Sequence, residues 1–238
     1  EEHRLACLLH EKPFNGVNGS GKHDNWSIST DKGLNLLKPS DDPYSNYPFL
    51  LFFIAVIGAV DEYSDLLRMS ASSLGNEARL GGHEAPPTII SVFLGEDMTQ
   101  MLENIADGAI PAKRGKTRLN VGVNYVADLS KDNSDRNRTS PFAFTGNKFE
   151  FRMVGSSATL STPNVILNTI VAEMVSRISD ELEGTPKEEI PQAVYAVVKK
   201  MYKQHKKVVF NGNNYSAEWA NEAKRRGLKH IDNSVDAY

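Results

Sequence analysis

The chain has 238 residues, with 27 Lys and Arg against 30 Asp and Glu, 40% apolar residues and 24% charged ones. The formal charge of −3 gives no global basic excess for nucleic acid or an anionic membrane, and the apolar share is too high for disorder. One cysteine, Cys7, excludes a disulfide framework within the chain, offers a metal at most one thiolate, and fits a reducing compartment.

Taken in order, residues 4–10 are an apolar run that reads as a strand, broken by Pro13 and Gly16. A Gly-rich turn from Asn18 leads into alternation over 22–29. As a strand, that segment puts His23, Asn25, Ser27 and Ser29 on one face and Asp24, Trp26 and Ile28 on the other. Residues 39–48 carry three prolines and read as a loop. A helix is predicted over 49–69. Its twelve-residue apolar run, Phe49 to Val60, is shorter than the roughly 20 residues a membrane span needs, so it reads as a buried helix. Residues 70–82 read as a loop, and Pro86-Pro87 leads into a strand over 88–94.

Residues 95–137 are polar and charged and read as an insertion, with a short helix over 97–105, a basic segment from Lys113 to Arg118 and a strand over 120–126. The β pattern returns over 141–154. Helices are predicted over 163–183, with Thr162 as cap and Pro163 as the first helical residue, over 188–204, and over 217–226, capped by Ser216. Gly184 and Gly227 are the stop signals.

Two segments carry most of the chemistry. In the first, Gly19 and Gly21 allow close backbone approach to a ligand, and a polar face with His23 beside such a loop suits metal or phosphate; a hairpin with a solvated face is the alternative. In the second, Lys148-Phe149-Glu150-Phe151-Arg152 alternates strictly, so Glu150 stands between two cations about 7 Å away on one face while both phenylalanines point to a core. That face suits a divalent cation and anionic oxygens, or is a surface charge ladder. Glu84, held between Gly81-Gly82 and Pro86-Pro87, reads as the acidic tip of a flap or as an ordinary turn.

Four motifs occur in one order: Asn18-Gly19-Ser20-Gly21-Lys22-His23, then Arg79-Leu80 with His83-Glu84-Ala85-Pro86, then Arg136-Asn137-Arg138, then Glu150-Phe151-Arg152. Together they resemble the catalytic domain of glutamine synthetase, most of all its large type III form, over nearly the whole chain. The resemblance implies an α+β fold, a curved and largely antiparallel sheet with flanking helices, of which residues 1–238 form an incomplete C-terminal catalytic part. It implies ATP-dependent ligation of ammonia to glutamate through a γ-glutamyl phosphate, with Mg²⁺ or Mn²⁺, in a cytoplasmic enzyme built as a large homo-oligomer from copies of itself.

By the same resemblance, His23 and Glu150 hold the metal nearer the ATP phosphates, and Asn18, Gly19, Arg79 and Arg152 meet glutamate. Asn25, Ser27 and Lys148 contact the nucleotide, Arg138 stabilises the transferring phosphoryl group, and Glu84 closes the site and helps deprotonate ammonium. Commoner forms have His at the position of Asn25 and Arg at that of Lys148. The remaining metal carboxylates of the family lie upstream of the Asn18–His23 motif, so the chain alone is expected to be inactive. The other readings are a phosphotransferase like the phosphagen kinases and a catalytically silent assembly domain.

Overall fold

The structure is a computed structural model that describes residues 10–82, 85–110 and 139–238, together with residues 3, 5, 6 and 8 and the backbone of 118–119 and 129–130. In chain order its elements are β1 (Asp24–Trp26), α1 (Tyr47–Glu62), α2 (Ser64–Ser70), α3 (Leu74–Arg79), β2 (Val92–Phe93), α4 (Glu96–Asp107), β3 (Arg118–Leu119), β4 (Leu129–Ser130), β5 (Phe142–Phe144) and β6 (Phe149–Phe151). Four helices follow: α5 (Ser161–Leu182), α6 (Ile190–His205), α7 (Ala217–Arg225) and α8 (Ser234–Ala237). The fold is α+β: an open sheet of order β1-β6-β5-β2, with helices packed on one face.

Neighbours in that sheet are antiparallel, except that β2 runs parallel to β5, with Val92 opposite Phe142. The core side is aromatic. Phe149 lies 5.1 Å from Phe142, 5.2 Å from Phe144 and 5.8 Å from Phe53 of α1, ring centre to ring centre. These rings stack or tilt against one another in the offset geometries that aromatic quadrupoles favour. Helix α1 is buried from Phe53 to Val60, between the sheet and the pair α5 and α6. Asn46 caps it, its side chain accepting from the Phe49 N–H, with Pro48 in the first turn.

The expected helix over 49–69 is two helices. Tyr63 leaves the helical region at φ −113° and ψ 29°, and α2 restarts so that Leu67 and Arg68 turn inward. The Arg68 Nε–H donates to the Ile231 carbonyl, and Nη1 donates to Ser72, tying α2 to the C-terminal segment. The expected loop over 70–82 contains α3. Ser73 caps it by accepting from the Asn76 N–H, and Glu77 sits in its first turn. Helix α5 starts at Ser161 rather than after Thr162, and Pro163 lies within the first turn, where no N–H partner is required.

The strand expected over 88–94 shrinks to Val92–Phe93. Beside it, single bridges pair Ile89 with His230 and Val92 with Val209. The strand over 22–29 shrinks to Asp24–Trp26. In the 4–10 run the described residues form no strand, and Leu5 and Leu8 are exposed. Helix α4 covers the predicted 97–105, and its Met101, Leu102, Ile105 and Ala106 are buried against α6. The expected strand over 120–126, most of the basic segment and Cys7 lie outside the described residues. Among the described residues, no helix is long and apolar enough to cross a membrane.

Phe149 is fully buried among these rings, so Phe149→Ala is expected to lower unfolding free energy by about 3–5 kcal/mol. Urea denaturation followed by tryptophan fluorescence measures this.

Candidate functional site

Pairing of β1 with β6 sets the site. The register puts Asn25 opposite Glu150 and Trp26 opposite Phe149. Alternation then sends Trp26, Phe149 and Phe151 into the core and leaves Asn25 and Glu150 on the open side. His23, one residue before β1, turns to the same side. Its Nδ1 lies 2.8 Å from Glu150 Oε1. Arg152 holds the other oxygen, Oε2, donating from Nε at 3.0 Å and Nη2 at 2.8 Å.

The Glu150 carboxylate thus stands between an imidazole and a guanidinium. The hydrogen bond from His23 and then those from Arg152, working against burial, pull its pKa down from 4.5 to about 2. Exposure grades outward: the Arg152 side chain is 4% exposed, that of Glu150 16% and that of His23 35%.

The neighbouring polar residues share this face. The Asn25 amide donates to the His23 carbonyl at 3.1 Å. Ser27 Oγ lies 3.0 Å from both Asn35 Oδ1 and the Asn147 carbonyl, and the Asn35 amide donates to that same carbonyl. Lys148 is half-buried at the start of β6, and Asn18 and Gly19 form the outer loop that leads to His23. The structure therefore brings together His23, Asn25, Ser27, Lys148, Glu150 and Arg152. Glu84 and Arg138 lie outside the described residues.

Arg79 does not reach this face. Its side chain is buried, Nε donating to Asn76 Oδ1 at 2.8 Å, while Nη2 lies 3.3, 2.9 and 3.1 Å from the carbonyls of Arg152, Met153 and Val154. The reason is a slip in the ladder. Asp24 pairs with Phe151, whereas Gly21 bridges Gly155. Two residues on one side thus face three on the other, a bulge at 152–154, and a bulge leaves backbone groups without ladder partners. Arg79 and Asn76 collect the carbonyls of Arg152 and Met153 from below, Asn76 Nδ2 also donating to Met153 O at 2.7 Å, while the Val154 carbonyl also accepts from the Lys22 N–H across the ladder at 2.9 Å. Gly19 and Gly21 are open to the same arginine: a Cβ at Gly21 would stand 2.6 Å from its Nη1. The close approach these glycines permit is to a buried side chain of the chain itself.

His23 and Glu150 fit a divalent ion by their chemistry and spacing. Two adjacent ligands of one octahedral ion, each at about 2.1 Å, stand about 3.0 Å apart, close to the 2.8 Å observed between Nδ1 and Oε1. An ion there would replace the His23–Glu150 hydrogen bond. Among the described residues, no third His, Cys, Asp or Glu completes a cluster.

Sequence reasoning missed Glu11 and Asn76, which lie beneath the site. Their signal is indirect: Gly19, Gly75 and Gly155 are positions where a Cβ would strike Glu11.

Residues 193–238 match the family described as glutamine synthetase C-terminal domain. The chain is 49% identical over 99% of its length to a type-3 glutamine synthetase of Dictyostelium discoideum. It is 47% identical to a glutamine synthetase of Butyrivibrio fibrisolvens and 43% identical to one of Bacteroides fragilis (strain YCH46), each over 97% of its length. It spans 32%, 33% and 32% of these three proteins respectively. Over nearly all of its length, this chain is a relative of the glutamine synthetases and corresponds to about one third of them.

Proposed function

We propose that this chain serves as part of a longer, cytoplasmic enzyme that joins ammonia to glutamate with ATP, through a γ-glutamyl phosphate. The observation that carries this reading is the convergence of His23, Glu150 and Arg152 on one open sheet face. The relatives' names, glutamine synthetase, support it.

In this reading His23 and Glu150 hold Mg²⁺ or Mn²⁺, which when bound neutralises phosphate charge during transfer. Arg152 keeps Glu150 ionised and aimed, and with Asn18 and Gly19 meets anionic substrate. Asn25, Ser27 and Lys148 face the nucleotide, Arg138 the phosphoryl group, and Glu84 takes a proton from ammonium. The stretch 95–137 is a family-specific insertion whose first part, α4, is anchored in the core. The full enzyme assembles from several copies, uses glutamate, ammonia and ATP, and involves neither nucleic acid nor membrane.

Titration of the 238-residue chain with Mn²⁺, read by the loss of the free-ion electron paramagnetic resonance signal, tests the metal pair. His23→Ala and Glu150→Ala are each expected to weaken binding at least tenfold; unchanged binding in Glu150→Ala overturns the reading. The chain alone should form no glutamine from glutamate, ammonia and ATP, because two protein donors leave the ion short of ligands. A longer protein containing it should form glutamine and lose that activity at least a hundredfold with Glu150→Ala.

The same pair sets an acid limit in the absence of metal. Glu150 has its pKa lowered from 4.5 to about 2 on folding. Its stabilisation is therefore complete above about pH 4.5 and is lost as pH falls toward 2. Urea midpoints of the metal-free chain across this range should fall more steeply than those of Glu150→Gln.

A further inference from the structure

Glu11 is 3% exposed, and the roles assigned above make no use of it. Its Oε1 accepts from the Ser157 N–H at 3.1 Å and from the Ser157 hydroxyl at 2.7 Å. Its Oε2 accepts from the Ser73 hydroxyl at 3.4 Å, and Ser73 is the cap of α3. Its carbonyl accepts from the Ser20 N–H at 2.7 Å, within the loop that leads to His23. From Ser73, α3 continues to Asn76 and Arg79, which hold the carbonyls of the 152–154 bulge.

The contacts close a ring: Glu11 to Ser73 and α3, α3 to the bulge, the bulge to Ser157, and Ser157 back to Glu11. Both segments that carry His23 and Glu150 are fastened to it. Glycines at 19, 75 and 155 leave room for the acid, since a Cβ at Gly75 would stand 2.6 Å from its Oε2 and one at Gly19 2.6 Å from its carbonyl oxygen. A buried carboxylate is costly unless it is hydrogen-bonded, and this one accepts three hydrogen bonds. Gly75, Gly155 and two serines amount to a cradle built for this one side chain.

We infer that Glu11 and Arg79 are buried positioning residues, which lock the Asn18–Lys22 loop to the 152–154 bulge and so hold His23 against Glu150. Arg79 then acts through the backbone and does not touch substrate. The inference rests on the proposed metal pair for its binding readout, and on the His23 side chain for a second readout independent of metal.

The test uses the 238-residue chain. Glu11→Ala is expected to weaken Mn²⁺ binding at least tenfold. It should also shift the His23 ring nitrogen resonances in ¹⁵N–¹H spectra of the metal-free protein as the hydrogen bond to Glu150 is lost. Glu11→Gln, which keeps an acceptor for Ser157, should restore most of both. Ser157→Ala cuts the ring at its exposed rim, where folding is tolerant, and should weaken binding about threefold. Ile178→Ala, in the α5 core, controls for lost stability and should leave both readouts unchanged.

Mn²⁺ affinity within twofold of the unaltered chain and unmoved His23 resonances, in Glu11→Ala or in Ser157→Ala, overturn the inference. So does an equal effect of Ile178→Ala. If the unaltered chain binds no Mn²⁺, the metal reading fails, and the His23 resonances alone decide the positioning role.

Discussion

The short antiparallel pairing of Asp24–Trp26 with Phe149–Phe151 determines what the sheet presents on its open face. One face of that ladder is fixed by a stack of aromatic rings, which tolerates neither a one-residue slip nor a loss of volume. The other face inherits its geometry from the first. Because Phe149 and Phe151 are committed to the core, Glu150 is delivered to the open side. Because Trp26 is committed, Asn25 stands across from it. His23 and Arg152 then close on the carboxylate from two directions.

The bulge at 152–154 is the second constraint. A regular ladder would have continued the alternation, and Met153 and Val154 could not both be buried as they are. The slip lets the chain bury both while Arg152 lies back along Glu150. Its cost is a set of carbonyls off the ladder, and a buried arginine and a buried asparagine from one short helix absorb it. The rigidity of the open face thus comes from beneath the sheet as well as from within it.

Period-two alternation made the faces of 23–27 and 148–152 legible in the sequence, because each face has a single environment and the side chains report it. The buried run of α1 and the Ser216 cap of α7 were legible for the same local reasons. The break at Tyr63, the helix at 74–79 and the shortened strand at 92–93 were not, since tertiary contacts decide them. Arg79 shows the limit most clearly. The resemblance implies a substrate grip for it, but the destination of its side chain depends on a bulge more than seventy positions away that no local pattern announces. Glu11 was invisible for the same reason: only the glycines it displaces hint at it.

The parallel pairing of β2 with β5 carries a further consequence. The chain leaves the edge strand after Phe93 and re-enters the sheet beside it at Phe142. Its two stems are clamped, by α4 packed on α6 and by Thr139 and Ser140 gathered around Asn214. Closure entropy grows only slowly with loop length, about 0.6 kcal/mol per doubling. The length of sequence between the stems can therefore change at little thermodynamic penalty to the open sheet face. That makes 111–137 a stretch whose length can change between related chains, and a natural place to graft a foreign peptide.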